Sequence, residues 1–546
     1  DLMKKRHLFW IIPSALITLI LLLYVILKLI SVFHPLSEPF VNRTKHKTTL
    51  TEKELNRDLD YIKHYMSACY AGYDDMVEKG FNLDSAIENI YNNTKKEMHN
   101  GVVASSVLIT NTINELIEKN PLIDSHFSIS GSSRYPYKLY FSDLYFEAKQ
   151  SASETKYFLT KIQREEIDKE ESFLKKKVPL TELPLNLEYT GSTQNLYKWF
   201  DGNKIIYRYG VFTNKEINFA YINLNNNKEK IPVYYFDRLE SKTKNQSYKE
   251  TNKTLYLSLQ DFMFDITSDI HEFHGQKEFQ NLLDIAKEKS KNKENIILDL
   301  RSNGGGEPIR LSLLFANILY DNYDFDTLNQ ITLCANENST DVFSSTIAKR
   351  SLYSIFYDIK DFFKKLKFRN KKEKFEYEEY YDSIYKKQDR IRNKQILPQL
   401  FFPSRKMITV EPQMEDKPLP PTKFSGTIYI LTDRYSASCS EYTIGLAYKL
   451  AEKLNFNVVH LGENSNGAVY YVNPRSFVTP YSGLWFYMPT NKSEPRIFNH
   501  PSFKGEGLGW HPEYWVTKYN LANTLTNLIE DPELPQMLVG LEKNHL

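Results

Sequence analysis

IILDLRSNGGGEP, Ile296 to Pro308, decides the fold of this chain. Three apolar residues lead into an Asp-Leu-Arg corner and then three glycines, Gly304 to Gly306. A short apolar run closed by glycines reads as a buried strand that ends in a turn. A helix is expected from about Pro308 to Leu319. A second stretch has the same form: YILTDRYSASCSEYTIG, Tyr429 to Gly445, runs from strand into a serine-rich knuckle and then a helix. A serine at the mouth of a helix, with a glycine loop rich in N–H groups, is the raw material of acyl-transfer chemistry.

Working outward, LeuTyrLeuSerLeu at Leu255 begins this region and a helix is expected over Gln276 to Ser290. A strand at Gly426 to Leu431, a helix from about Ser440 to Leu454 and a strand at Asn457 to Leu461 follow the proline linker Pro418 to Thr422. Alternation of strands and helices implies a mixed or parallel sheet with crossover helices. Upstream, Thr51 to Asn120 reads as helices, with a capping start at Thr51 and apolar spacing through Leu55, Leu59, Ile62 and Met66. Further helices are expected near Ser85 to Met98 and Val102 to Ile117. From Phe127 to about Asp237 the pattern alternates, with strands at Ile205 and Phe219, and Glu154 to Lys177 reads as a charged helix within that zone. The lysine- and aromatic-rich stretch 344–393 reads as a solvated helical insertion, with a lid as the functional alternative.

The chain has 546 residues, enough for two or three domains. A net charge of +2 gives no reason to expect nucleic acid. The three cysteines, Cys69, Cys334 and Cys439, fit no zinc spacing and cannot all pair within the chain. Residues Leu8 to Leu27 are apolar and follow Lys4, Lys5 and Arg6. About 20 such residues span a bilayer. The positive flank then places the remainder outside the cytoplasm. The continuation Lys28 to Phe33 is a poor cleavage site, so an uncleaved anchor is favoured over a signal peptide. The expected organisation is a cytoplasmic end 1–7, an anchor 8–30, a linker 31–50, a helical domain 51–130 and a β-rich region 131–250. A catalytic domain 251–546 follows, with an insertion 340–415.

The two decisive stretches resemble the tail-specific, or C-terminal-processing, serine peptidases of the S41 type and their tricorn-like relatives. Asp-Leu-Arg-x-Asn-x-Gly-Gly is met by Asp299 to Gly306, and Ser-Ala-Ser-x-Ser-Glu by Ser436 to Glu441. The resemblance implies an α/β chain with a ClpP/crotonase-like core, a peptide or protein substrate, and no metal or cofactor. It implies Ser438 as nucleophile, with the N–H groups of Cys439 and the glycine loop (Gly305 first, Gly306 beside it) as the oxyanion hole. The family's usual Gly-Glu-x-x-x-Gly-Lys appears as Gly462 to Ala468, with alanine in the lysine position. A Ser–Lys pair is therefore not available there. The tricorn-like branch supplies another base: Leu122 to Ile129 resembles its Ser-His motif, giving Ser125 and His126, and Gly505 to Glu513 resembles its C-terminal glutamate motif, giving Glu506. His460 and His511 are further candidates for the base. His271 and His274 read as a solvated helical face in the absence of a third ligand nearby. No Gly-Leu-Gly-Phe-type loop marks a peptide-binding module. The alternative is a non-catalytic protein of the same fold that binds peptides or small hydrophobic ligands.

Overall fold

The computed structural model describes residues 18, 22, 46–133, 137–162, 187–235, 239, 246–262, 276–335, 339–344, 346–348, 394, 405–410, 417–493, 496–518 and 520–539. The stretch read as an anchor, 8–30, lies outside them apart from Thr18 and Leu22, as do most of the insertion and the His271–His274 pair. Among the described residues no helix is long and apolar enough to cross a membrane.

The chain forms two compact units. One comprises 135–336, 414–469 and 495–546; the other comprises 1–134, 337–413 and 470–494. Both are discontinuous in sequence.

The first-named unit is built on a six-stranded sheet. Its strands are β1 (Ser247–Glu250), β2 (Thr254–Ser258), β3 (Asn295–Asp299), β4 (Thr427–Thr432), β5 (Asn457–Gly462) and β6 (Tyr514–Trp515), side by side in chain order. The β1–β2 pair is antiparallel and the other pairs are parallel. Every residue of β2 and β3 is buried, as expected of strands covered on both faces. Tyr256, Ile297 and Tyr429 are register partners and therefore share one face. They share an apolar cluster with Leu521, Leu525, Leu534 and Leu538, which come from α5 (Leu521–Leu528) and α6 (Leu534–Leu538). The crossovers carry α1 (Gln276–Lys289), α2 (Pro308–Leu319), α3 (Phe325–Ala335) and α4 (Cys439–Lys453).

A second, antiparallel sheet in this unit orders Tyr234–Tyr235, Lys138–Gln150, Lys204–Thr213 and Leu196–Asp201, with Thr155–Ile162 also on Lys138–Gln150. The charged helix expected from Glu154 is not found there: Thr155–Ile162 is a strand, and 163–186 lie outside the described residues. Tyr157, Phe158, Leu159, Thr160 and Ile162 are aromatic, leucine or β-branched, and an existing strand on which to pair outweighs the charges between them. Phe141 packs edge-on to Trp199 at 5.0 Å between centroids, and Tyr197 edge-on to Trp515 at 5.1 Å, which joins this sheet to β6.

The other unit contains the helices Glu52–Cys69, Leu83–Lys96 and Ser105–Ile113. The capping box at Thr51 is present: Thr51 Oγ1 accepts from the Glu54 N–H, and Glu54 Oε2 accepts from the Thr51 N–H at 3.0 Å. The third helix is shorter than expected because Val102–Ala104 pairs as a strand with Thr49–Thr51. Leu55, Ile62 and Met66 join a core with Phe477 and Phe486. Those phenylalanines belong to the hairpin Tyr471–Val478 and Trp485–Ser493. Asp58, wholly buried, accepts from the N–H groups of Tyr481 (3.0 Å) and Ser482 (2.7 Å), which fastens the first helix to the hairpin turn. The insertion begins and ends in strands, Ser339–Phe343 and Lys406–Val410, which pair with each other and extend the hairpin's sheet.

Gly462 closes β5 at φ 123°, and a Cβ there would stand 2.1 Å from the Thr432 carbonyl oxygen. Gly462→Ala is therefore expected to destabilise the sheet by about 2–4 kcal/mol. Asn457→Ala, at the exposed start of the same strand, is expected to leave the thermal midpoint unchanged, and differential scanning calorimetry of the two variants checks the contrast.

Candidate active site

β3 and β4 run parallel in register, with Asp299 opposite Leu431, so the segments that leave them emerge at one edge of the sheet. The corner after β3 is set by its own charges. Arg301 Nε and Nη2 bond Asp299 at 2.9 and 2.6 Å, both side chains are buried, and the Arg301 N–H closes on Asp299 Oδ1 at 3.0 Å. Ser302 at φ 65° then turns the chain, and its N–H donates to Asp433 Oδ1 of the segment after β4.

Asn303 ties loop to knuckle. Its carbonyl accepts from the Ala437 N–H at 3.0 Å and from Ser440 Oγ at 2.8 Å. Its side chain spans the loop: Nδ2 donates to the Leu259 carbonyl, and Oδ1 accepts the Gly305 N–H at 2.9 Å. Gly305 sits at φ 101° against the knuckle. A Cβ on it would meet Ser438 Cβ at 2.7 Å and the Ala437 carbonyl and Cys439 nitrogen at 2.8 Å. Only glycine permits that backbone conformation and that approach together.

The three knuckle serines divide their work. Ser436 Oγ donates to the Leu300 carbonyl at 2.8 Å and Ser440 Oγ to Asn303, so both are structural. Ser438, half-buried, donates its hydroxyl to no described residue. It stands immediately before α4 at φ 54°, ψ −118°, a conformation that costs a non-glycine residue on the order of 1–3 kcal/mol. Among the described residues the Cys439 N–H, first in α4, and the Gly306 N–H have no acceptor. With the Gly304 N–H, which likewise has none, these are the open donors of loop and knuckle. Gly305, expected to supply one, does not: its N–H is committed to Asn303, and its role is close packing.

Beside the knuckle lies the turn 463–469. Glu441, in the first turn of α4, is wholly buried and takes four hydrogen bonds. Oε1 accepts from Ser465 Oγ at 2.6 Å and the Gly467 N–H at 2.8 Å; Oε2 accepts from the Ala468 N–H at 2.7 Å and the Ser438 N–H at 3.2 Å. Burial pushes its pKa up to about 7, against the pull of those donors. Ala468 thus enters the site through its backbone, with no basic side chain at that position. Glu506 Oε2 accepts from the Val469 N–H at 3.0 Å. Its glycine-rich segment packs backbone to backbone on the turn, and a Cβ on Gly467 would meet the Gly507 nitrogen at 2.4 Å.

Ser125 and His126 lie in the other unit. Asp124 Oδ1 accepts the His126 N–H at 2.9 Å and Oδ2 accepts the Tyr70 hydroxyl at 2.9 Å, while the Tyr70 ring stacks on Phe127. Burial lowers the His126 pKa to about 4, with the Tyr471 backbone opposing. The ring is therefore neutral at physiological pH, and its buried Nδ1 has no hydrogen-bond partner among the described residues. His460 and His511 are poorer bases: burial pushes both down to about 3. His460 commits Nε2 to Thr432 Oγ1 at 2.7 Å, and His511 packs edge-on against Phe212 and Trp515. Among the described residues no three His, Cys, Asp or Glu side chains group as metal ligands.

The sequence pattern of peptidase family S41 matches residues 253–492, a span that holds both the glycine loop and the serine knuckle. Over that span the chain is similar to peptidase family S41. The enzyme class that goes with S41 is serine-type peptidase, and the sheet, loop and knuckle form a mixed α/β S41 fold. No curated protein matches the chain. Solved structures with distant likeness include mature CPAF, at 11% identity over 90% of this chain and 98% of that one, TM-score 0.40. Another is the photosystem II D1 C-terminal processing protease, at 9% identity over 89% and 99%, TM-score 0.31. The tricorn protease aligns at 12% identity over 90% of this chain and 37% of its own length, TM-score 0.32.

Sequence reasoning passed over Glu441 and Ser465. Glu441 stands inside the quoted motif, three residues into a helix whose cap is the knuckle serine, and that spacing was the available signal.

Gly305→Ala is expected to lower the rate of Ser438 acylation by a fluorophosphonate by about 100-fold or more, the scale of losing an oxyanion donor. The added methyl must displace the Cys439 nitrogen. Mass spectrometry of the adduct over time, with circular dichroism to verify folding, measures it.

Proposed function

We propose that this S41 peptidase hydrolyses peptide bonds through Ser438, with His126 as general base. The observation that carries this reading is the Ser438 hydroxyl, which donates its proton to no described residue and stands on a knuckle packed against Gly305, where the N–H groups of Cys439 and Gly306 have no acceptor. Ser438 Oγ attacks the substrate carbonyl carbon while its proton passes to the imidazole. The two N–H groups receive the resulting oxyanion. The C–N bond breaks as the imidazolium returns the proton to the leaving amine, and water then cleaves the ester by the same route in reverse order. Ser125 orients the imidazole in this scheme and Glu506 completes the relay. A low His126 pKa keeps the ring in the proton-accepting form, at a cost in basic strength.

The substrates are peptides or unfolded protein tails, and the catalytic core is of the ClpP/crotonase type. The enzyme is held in a membrane by residues 8–30, with its catalytic part outside the cytoplasm; the supporting observation is the apolar run that follows Lys4, Lys5 and Arg6. A second reading, a binding protein of the same fold, draws on alanine at position 468, where the family's lysine would stand.

Labelling of the wild-type chain with a fluorophosphonate is expected to give one adduct, on Ser438. It is abolished by Ser438→Ala and slowed by about 100-fold or more by His126→Ala, the scale of general-base catalysis. An adduct on another serine rejects the nucleophile. Wild-type protein left unlabelled, while a control peptidase reacts, favours the binding protein.

A further inference from the structure

We propose that Glu441 is a positioning residue for catalysis: its carboxylate bridges the Ser438 backbone to the turn 465–468 and holds the nucleophile in its left-handed conformation. This rests on the reading of Ser438 as nucleophile and goes beyond it.

The geometry is that of a four-point clamp. One oxygen joins the Ser438 N–H to the Ala468 N–H, and the other joins Ser465 Oγ to the Gly467 N–H. Every partner donates. Ser465 Oγ in turn accepts the Trp510 N–H at 2.7 Å, so its own proton is directed at Glu441 and the chain of donors extends to the segment that carries Glu506. A buried carboxylate satisfies four donors; a neutral acid or amide does not, because its own proton or NH₂ then faces at least one of them. Ser438 needs the restraint, because its φ of 54° is unfavourable for a residue with a side chain. The only backbone N–H on the knuckle that Glu441 holds is that of Ser438, which places the clamp on the reacting residue rather than on the helix behind it.

The clamp gives activity a pH dependence. Glu441 faces hydroxyl and backbone donors from the turn. The titratable group on the neighbouring glycine-rich segment is Glu506, bonded to Val469, and those beside Glu441 on α4 are Cys439 and Tyr442. Protonation removes an acceptor site from a cluster made only of donors. Acylation therefore rises with pH as the carboxylate forms, near pH 7. This limb is separate from that of His126, which lies near pH 4. Ser465 favours the charged form, so its loss moves the Glu441 limb to higher pH.

The test uses the full chain, a fluorogenic peptide and a fluorophosphonate. Glu441→Gln is expected to lower kcat by about 100-fold with KM within about threefold, and to retain the wild-type circular dichroism spectrum. Ser465→Ala is expected to lose about tenfold in acylation rate and to shift the acid limb upward. It serves as the decisive variant should Glu441→Gln fail to fold. Wild-type kcat in Glu441→Gln, a raised KM with kcat unchanged, or an unmoved acid limb in Ser465→Ala overturns the proposal. Ser438→Ala is run in parallel: residual labelling there rejects the nucleophile itself, an outcome distinct from failure of the clamp.

Discussion

The site depends on the parallel, in-register pairing of Asn295–Asp299 with Thr427–Thr432. Parallel strands deliver their C-terminal ends to the same edge of a sheet, which is where open α/β sheets assemble ligand sites. Segments far apart in sequence are thereby brought within backbone contact. Asn303 then bonds the two together through one carbonyl, and Gly305 fits against Ser438 because it has no side chain. If the register slipped by one residue, the loop and knuckle would no longer meet.

Much of this was legible beforehand, for identifiable reasons. Ile296–Leu300 and Gly426–Leu431 were recognisable as strands because both faces are buried, which leaves the apolar runs Ile296 to Leu298 and Ile428 to Leu431. The helix expected from about Pro308 to Leu319 is present over Pro308–Leu319. Less was legible where local and tertiary signals conflict. Thr155–Ile162 stands beside a charged stretch and becomes a strand by pairing on Lys138–Gln150. Val102–Ala104 leaves the helical pattern to meet Thr49–Thr51. Pairings of that kind are decided by a partner that the local sequence does not contain.

The chemistry was legible at a coarser grain than the geometry. Motif and helix mouth singled out Ser438, but not which glycine N–H stays open, because that turns on the Asn303 side chain closing on Gly305. The flanking serines, alike in sequence, differ only in which carbonyl each can reach. Glu441 was hidden by its ordinariness, since a glutamate three residues beyond a helix-capping serine most often completes a cap. Its further bonds to Ser465, Gly467 and Ala468 come from a turn that no local pattern connects to it.

The stem formed by Ser339–Phe343 and Lys406–Val410 bears on how this protein can vary. Antiparallel pairing fixes the two ends of the intervening chain next to each other. In general the entropic cost of closing a segment rises by only about 0.6 kcal/mol for each doubling in its length. Natural selection can lengthen, shorten or exchange that chain while the sheet beneath keeps its register, so the stem is a socket for interchangeable segments.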